Sequence, residues 1–399
     1  MEKKSPKRSV RNIISLGVVS FFTDISSEMV YPLIPRLISS IGGTSVALGV
    51  IEGIAEATAS VLRAFSGYIS DRLKKRKALV ILGYSLSALA KPLLGISKIW
   101  QMVLGFRFLD RTGKGIRTAP RDAILADSAG EKERGKWFGF HRAMDTLGAG
   151  IGPLSAFLLL GIGVPFRHLF FWAVIPAGVA VLVLIFLVRE VAPERKEGEK
   201  FKLNFRGWSR HYHYYLIISG IFVLGNFSNT FLILRAQELG LKEEKFLFIP
   251  LLYLLYNLSY ALISMPAGML SDRIGRRKVL LFSFVLFALV YLGFGLNESL
   301  WALWLLFFLF GFVDGTKEGT QRALIADLVP SERRASAYGV YYAIVGALMF
   351  PSSAIAGLVW KKFGAQVVFS YGACLGLISA VLLFFLLPDQ INPSQNRIK

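Results

Sequence analysis

Twelve stretches in which apolar side chains predominate over about twenty residues alternate along this chain with polar connections. Only elements that satisfy their own backbone hydrogen bonds cross hydrocarbon, and a helix needs about 20 residues to do so. The pattern predicts helices over 12–38, 45–70, 78–97, 99–122, 137–160, 168–188, 212–234, 246–270, 279–297, 299–324, 336–359 and 365–387, numbered 1 to 12 below. One connection, 189–211, is long, and Glu194, Arg195, Lys196, Glu197, Glu199, Lys200 and Lys202 crowd into it after Pro193. It reads as a linker between a six-helix bundle at 12–188 and a second at 212–388, with tails at 1–11 and 389–399.

The second half repeats the first at an offset of about two hundred residues. Gly67, Ser70, Asp71 and Arg72, with Lys75, Arg76 and Lys77 behind them, return as Gly268, Ser271, Asp272 and Arg273 with Arg276, Arg277 and Lys278. Ala126-Asp127, followed by Glu133-Arg134 and Gly139, returns as Ala326-Asp327, followed by Glu332-Arg333 and Gly339. Two copies of one membrane unit, an all-α architecture, imply alternating access around a site between matching halves.

Composition agrees with a lipid solvent. Hydrophobic residues make up 54% of the chain, 32 residues are Phe, and the mean hydropathy is +0.53, above the range of soluble domains. The single cysteine, Cys374, excludes a disulfide framework and a thiolate metal cluster. The basic first eleven residues run into an apolar stretch too long and too polar-interrupted for a signal peptide, so it is expected to remain as helix 1. A net charge of +20 raises nucleic acid as a partner, but its distribution excludes that reading. Lys and Arg gather at the N-terminus, after helix 2, in the linker and after helix 8, which is the positive-inside asymmetry. It places both termini and the linker in the cytoplasm and the chain as a multi-pass protein of the cytoplasmic (inner) membrane.

The loop after helix 2, Gly67-x-x-x-Asp71-Arg72-x-x-x-Arg76-Lys77, and the one after helix 8, Gly268-x-x-x-Asp272-Arg273-x-Gly275-Arg276-Arg277-Lys278, resemble the signature loop of the major facilitator superfamily in both of its places. The second copy is complete, and the first has Lys74 where the family has Gly. The resemblance covers the whole chain. It implies a major facilitator fold, twelve transmembrane helices in two pseudo-symmetric six-helix bundles, working as a monomer. It also implies that Asp71, Arg72, Asp272 and Arg273 latch the cytoplasmic gate. Independently, an Asp at the membrane edge can cap a neighbouring helix N-terminus, where backbone N–H groups favour negative charge. On helix 5, Gly139, Gly148, Gly152 and Pro153 resemble the glycine-proline pattern of the superfamily's antiporters, although Ala156-Phe157 stand where the family closes with a Gly pair. Pro32 and Pro35 match the family's proline pair on helix 1.

In this superfamily helices 1, 4, 7 and 10 line the central cavity, so the resemblance directs the search for function to their polar residues. Asp24 and Glu28 lie four apart on helix 1, hence on one face. Helix 4 carries Arg107, Asp110, Arg111 and Lys114, then Arg117, Arg121 and Asp122; helix 10 carries Asp314, Lys317 and Glu318; helix 7 carries Asn226 and Asn229. Ionisable residues within a span are functional candidates by default. Depth counting sets Asp24 and Arg111 at a similar level, about 18 Å from the cytoplasmic end at ~1.5 Å per residue, so they are expected to meet. Lys114 and Asp314 fall at equivalent positions with opposite charge, and are expected to close an inner gate or to hold a charged substrate. Glu52 and Glu56 share a face of helix 2, which packs at the gate in this family. His141 and Asp145 on helix 5 are spaced to touch, with Lys114 as another expected partner for Asp145.

Enzyme readings fail on the residues. Arg111 to Gly115 faintly resembles a phosphate loop, but Lys114 is followed by Gly rather than Ser or Thr. No His-Glu-x-x-His, cysteine pair or nucleophile elbow occurs, so neither a cofactor nor a resident metal is expected. Without an ATP-binding domain, an ion or substrate gradient has to drive transport. The reading is a secondary active transporter that exports a small solute against protons, with Asp24 carrying the coupling proton. Alternatives are an uptake symporter, or a metal- or iron-type permease to which the Arg117–Asp127 region is distantly similar; a non-transporting membrane sensor is the reading from another class.

Overall fold

The computed structural model describes residues 10–73, 75–129, 133–191, 208–330 and 334–388. Twelve helical spans run through these residues, and no strand occurs among them. Helices 2 to 5 are continuous: Ser45–Leu73, Arg76–Gly95, Trp100–Ala129 and Arg134–Gly161. So are helix 8, Ile249–Ile274, entered through the 3-10 turns Glu243–Phe248, and helices 9 to 12, Arg276–Leu296, Leu300–Leu328, Arg334–Phe363 and Ala365–Leu386.

Three spans are interrupted. Helix 1 passes from Val10–Val30 through a 3-10 turn, Tyr31–Leu33, into Ile34–Ser40, where Pro32 and Pro35 remove backbone donors. Helix 6 breaks at Ala173 between Phe166–Trp172 and Val174–Leu187, with Pro176 lacking the N–H that would bond back to Trp172. Helix 7 breaks between Arg210–Gly225 and Thr230–Glu238, so Asn226 and Asn229 sit in a gap and not on the regular face expected from the sequence. The physical reason is local: Asn226 and Ser228 satisfy freed backbone and side-chain groups through other helices, which a continuous apolar helix could not do.

Eleven spans are long and apolar enough to cross a membrane. Helix 4 has the length, at 30 residues, but its charges between Arg107 and Asp122 set it apart. Such a helix needs close cover, and glycine supplies it. A Cβ added to Gly83 on helix 3 would stand 2.6 Å from the carbonyl oxygen of Gly113 on helix 4, and one on Gly115 would stand 2.5 Å from Leu62 Cβ on helix 2.

The chain forms two compact units, residues 1–43 with 54–201, and residues 44–53 with 202–399. The first has an aliphatic core in which Ile13, Leu16 and Val19 of helix 1 meet Val80, Ile124 and Leu184. The second has an aromatic one. Phe222 stacks on Phe284 at 4.2 Å, Phe287 lies 4.0 Å from Tyr291, and Phe369 packs against Tyr291 and Phe294. Large apolar side chains such as Trp301, Phe385 and Met265 stay exposed, as lipid-facing positions require.

Helix 5 seats helix 1. A Cβ on Gly148 would lie 2.5 Å from the Phe21 carbonyl oxygen and 3.0 Å from Asp24 Cβ, and one on Gly152 would lie 2.7 Å from the Ile25 carbonyl oxygen and 3.0 Å from Glu28 Cβ. Gly139, in the same sequence pattern, has nothing within 4 Å. Gly152→Ala is therefore expected to lower stability by about 1–3 kcal/mol through overpacking. Gly139→Ala should leave the melting temperature of the purified protein unchanged or slightly raised. Equal effects at the two positions would show that the helix 1–helix 5 contact is not the constraint.

Candidate functional site

In the first unit, helices 1, 3 and 4 enclose a narrow cleft. Six residues expected in the cavity line it: Asp24 and Glu28 from helix 1, and Arg107, Asp110, Arg111 and Lys114 from helix 4. Their spacing explains the convergence. Residues 107, 110, 111 and 114 recur at three and four, one face of a helix, as do 24 and 28. Tyr31, at the break of helix 1, joins them, with the Arg107 guanidinium 5.9 Å from its ring centre.

Arg111 does not follow the depth argument. It reaches Glu56 on helix 2 at 3.2 Å and Asp110 at 3.8 Å, so carboxylates of helix 2 and of its own helix supply its ion pairs, while Asp24 lies elsewhere on the same cleft. The expectation for Asp24 considered depth alone and left out the azimuth of helix 2. Arg107 also pairs with Asp110, at 3.3 Å. Arg117 donates to Ser87 Oγ at 2.6 Å and lies over the Tyr84 ring at 4.3 Å. Sequence reasoning missed Lys91 of helix 3, a buried cation on the cleft wall. The signal was present: a lone lysine before Pro92 in an apolar span.

On helix 5, His141 and Asp145 touch as their spacing predicts, at 3.5 Å. Asp145 also accepts a hydrogen bond from Ser20 on helix 1, so this hydroxyl and imidazole occupy it where Lys114 was expected. Among the described residues no group of three or more His, Cys, Asp or Glu side chains could hold a metal ion.

The second unit carries a hydrogen-bonded chain across helices 7, 8 and 10. Asn229 Nδ2 donates to Tyr256 Oη at 3.2 Å, Tyr256 donates to Asp314 at 2.8 Å, and Lys317 pairs with the other oxygen of Asp314 at 2.6 Å. The Lys317 ammonium lies 5.1 Å from the Phe222 ring centre. Asp314 thus finds a cation three residues along its own helix, an i, i+3 pair. Glu318 is held by Tyr260 and Arg322, and Asn226 accepts from Tyr291 at 3.3 Å. Glu52 is fully buried and accepts a hydrogen bond from Ser228 at 3.4 Å, within the break of helix 7.

The repeated loops carry repeated ion pairs. Arg76 pairs with Asp127, and Arg276 pairs with Asp272 and, at 3.4 Å, with Asp327. Each arginine follows a signature loop and each distal Asp ends helix 4 or helix 10. Arg273 is exposed, whereas Asp71 and Arg72 end helix 2 with side chains outside the described residues. Gly148, Gly152 and Pro153, expected at a gate, lie in helix 5, where the two glycines position the Asp24 and Glu28 turns of helix 1.

A family model described as Major Facilitator Superfamily matches residues 16–255 and 216–398. A protein of Methanocaldococcus jannaschii named as an uncharacterized MFS-type transporter is 41% identical over 380 residues, covering 94% of this chain and 95% of its own. The multidrug resistance protein MdtG of Salmonella paratyphi C is 24% identical over 404 residues, covering 94% and 93%. A solved structure of a point mutant of the nucleoside transporter NupG matches with a TM-score of 0.81 at 14% identity, over 94% of this chain and all of that one, which is a likeness of fold.

The Asp314–Lys317 pair generates a prediction for stability. Both side chains are largely buried, at 16% and 11% exposure, so removing one charge leaves the other poorly compensated. Lys317→Met is expected to cost about 3 kcal/mol, while Lys317→Met with Asp314→Leu should recover most of that loss. Thermal unfolding of the four proteins in a double-mutant cycle measures the coupling, and simple additivity would rule the pairing out as an energetic unit.

Proposed function

The chain belongs to the major facilitator superfamily, and we propose that it is a secondary active transporter that exports a small solute in exchange for protons by alternating access. The observation that carries this reading is the charged cleft on helices 1, 3 and 4, where Asp24 and Glu28 face the cations of helix 4 inside a repeated membrane unit. Charge is placed at membrane depth at high cost, and a transport path is the use that accounts for it. The helix 5 pattern of Gly148, Gly152 and Pro153, and the relation to a multidrug resistance protein, favour export.

In this reading the bundles 12–188 and 212–388, joined by the linker 189–211, move against each other about the cavity. Both tails stay on the cytoplasmic side, as the distribution of Lys and Arg favours. Asp24, half-buried on the cleft, exchanges a proton with the far side when the cavity opens outward and releases it inward. Asn226, its counterpart in the repeat, cannot titrate, so the coupling resides in the first half. In this reading the Arg76–Asp127 and Arg276–Asp327 pairs, each within one unit, brace the cytoplasmic helix ends on which the gate closes.

Two measurements check this. In proteoliposomes with an imposed pH gradient, Asp24→Asn should abolish gradient-driven solute movement and leave expression and folding intact; undiminished proton-driven transport by that variant removes Asp24 from the coupling role. Arg276→Gln loses charge-assisted contacts to both Asp272 and Asp327, and should shift the population toward cytoplasmic opening by about 1–2 kcal/mol. Spin-label distances between cytoplasmic helix ends read the shift. Unchanged distance distributions would reduce the loop to a topogenic role.

A further inference from the structure

We infer that the cleft of the first unit is an oxyanion site, built for a solute bearing a carboxylate or phosphoryl group, and that Lys91 is the residue that reads the anion. Lys91 is 2% exposed, and its Nζ, on the cleft lining, has no hydrogen-bond partner among the described residues. An ammonium has three donors, and burying them unmatched is costly. The three neighbouring arginines are held in place: Arg107 by Asp110 at 3.3 Å, Arg111 by Glu56 at 3.2 Å, and Arg117 by Ser87 at 2.6 Å and the Tyr84 ring. Lys91 has no such holder.

Charge balance points the same way. Five basic side chains line the cleft against three carboxylates, and Glu56, reaching Arg111 from helix 2, still leaves the cations in excess. A cationic solute would enter against that excess, and a neutral one would leave it uncompensated. An oxyanion places acceptor oxygens against the three donors of Lys91 and brings the missing negative charge. Helix 3 supplies the lysine and helices 1 and 4 the opposite walls, so all three elements meet at one ligand.

The inference rests on the cleft being the transport site, and its test needs no gradient, so failure of export or of proton coupling would leave the binding result readable. The full chain, purified in detergent, is titrated at constant ionic strength with sodium succinate, inorganic phosphate or tetraethylammonium chloride while its melting temperature is followed. Succinate or phosphate should raise that temperature saturably, and which of them does so separates a carboxylate from a phosphoryl site. Lys91→Met should raise the midpoint concentration at least about tenfold, a loss of about 1.4 kcal/mol of binding, while Lys91→Arg stays within a few-fold of the parent. Because Lys91→Met removes a buried ammonium that has no hydrogen-bond partner, the unliganded variant should melt no lower than the parent. If that variant does not fold, Lys91→Gln carries the comparison. Saturable stabilisation by tetraethylammonium, no saturable effect of either oxyanion on the parent, or parental affinity in Lys91→Met would each overturn the assignment.

Discussion

A helix with seven ionisable side chains between Arg107 and Asp122 can cross hydrocarbon only if other helices cover it and compensate its charges, and the first unit is arranged around that requirement. Cover comes from glycine: Gly83 and Gly113 let helices 3 and 4 touch through their backbones, and Gly115 admits Leu62 of helix 2. Compensation comes from Glu56 of helix 2 and Asp110 of helix 4 itself, and from the Ser87 hydroxyl and Tyr84 ring under Arg117. What this leaves unmatched faces a cleft.

The two units solve the same problem differently. Where Gly83 meets Gly113 in the first, the equivalent residues of the second are Ser283 and Val313, joined by a hydrogen bond from the Ser283 hydroxyl to the Val313 carbonyl at 3.1 Å. In the second unit each buried ionisable group of helix 10 closes on a neighbour, Asp314 on Lys317 and Tyr256, Glu318 on Tyr260 and Arg322. Its core is aromatic, and the charges at the centre of helix 10 are paired within it. Pseudo-symmetry holds at the loops, where Arg76–Asp127 and Arg276–Asp327 pair alike although the sequence pattern aligns Arg76 with Arg277, and it lapses at the centre. Loop pairs hold a helix end, a task common to both halves, whereas the centre of each half faces its own chemistry.

Element identity was legible because membrane spans must be long and apolar, and helix 4 keeps enough apolar residues among its charges to be placed with them. Interruptions within spans were less legible. The prolines of helix 1 announced one, but Asn226 and Asn229 fell inside the single span predicted over 212–234, since the partners that stabilise the gap, Tyr291, Tyr256 and Ser353, lie far off in sequence. Pairings were legible at i, i+3 and i, i+4, as for His141–Asp145, and obscure where they depend on the rotation of a neighbouring helix, as for Arg111 and Glu56. Lys91 stands on helix 3, outside helices 1, 4, 7 and 10 on which the family resemblance places the cavity.

The arginines at helix ends extend that lesson. Arg167 donates to the carbonyl oxygens of Gly95 and Ser97, and Arg235 to those of Phe294, Gly295 and Asn297, so the C-terminal ends of helices 3 and 9 are capped at residues two hundred apart. The caps come from different places, Arg167 at the start of helix 6 and Arg235 near the end of helix 7. Unpaired carbonyls and the negative end of the helix dipole demand a cation there, and either helix can deliver it. A sparse charge on the face poor in Lys and Arg therefore has a structural use that a count of topogenic residues overlooks. The repeat preserves the need, not the residue that meets it. The same holds behind the cleft, where Gly148 and Gly152 on helix 5 offer no side chain yet set how closely helix 1 is seated at Asp24 and Glu28.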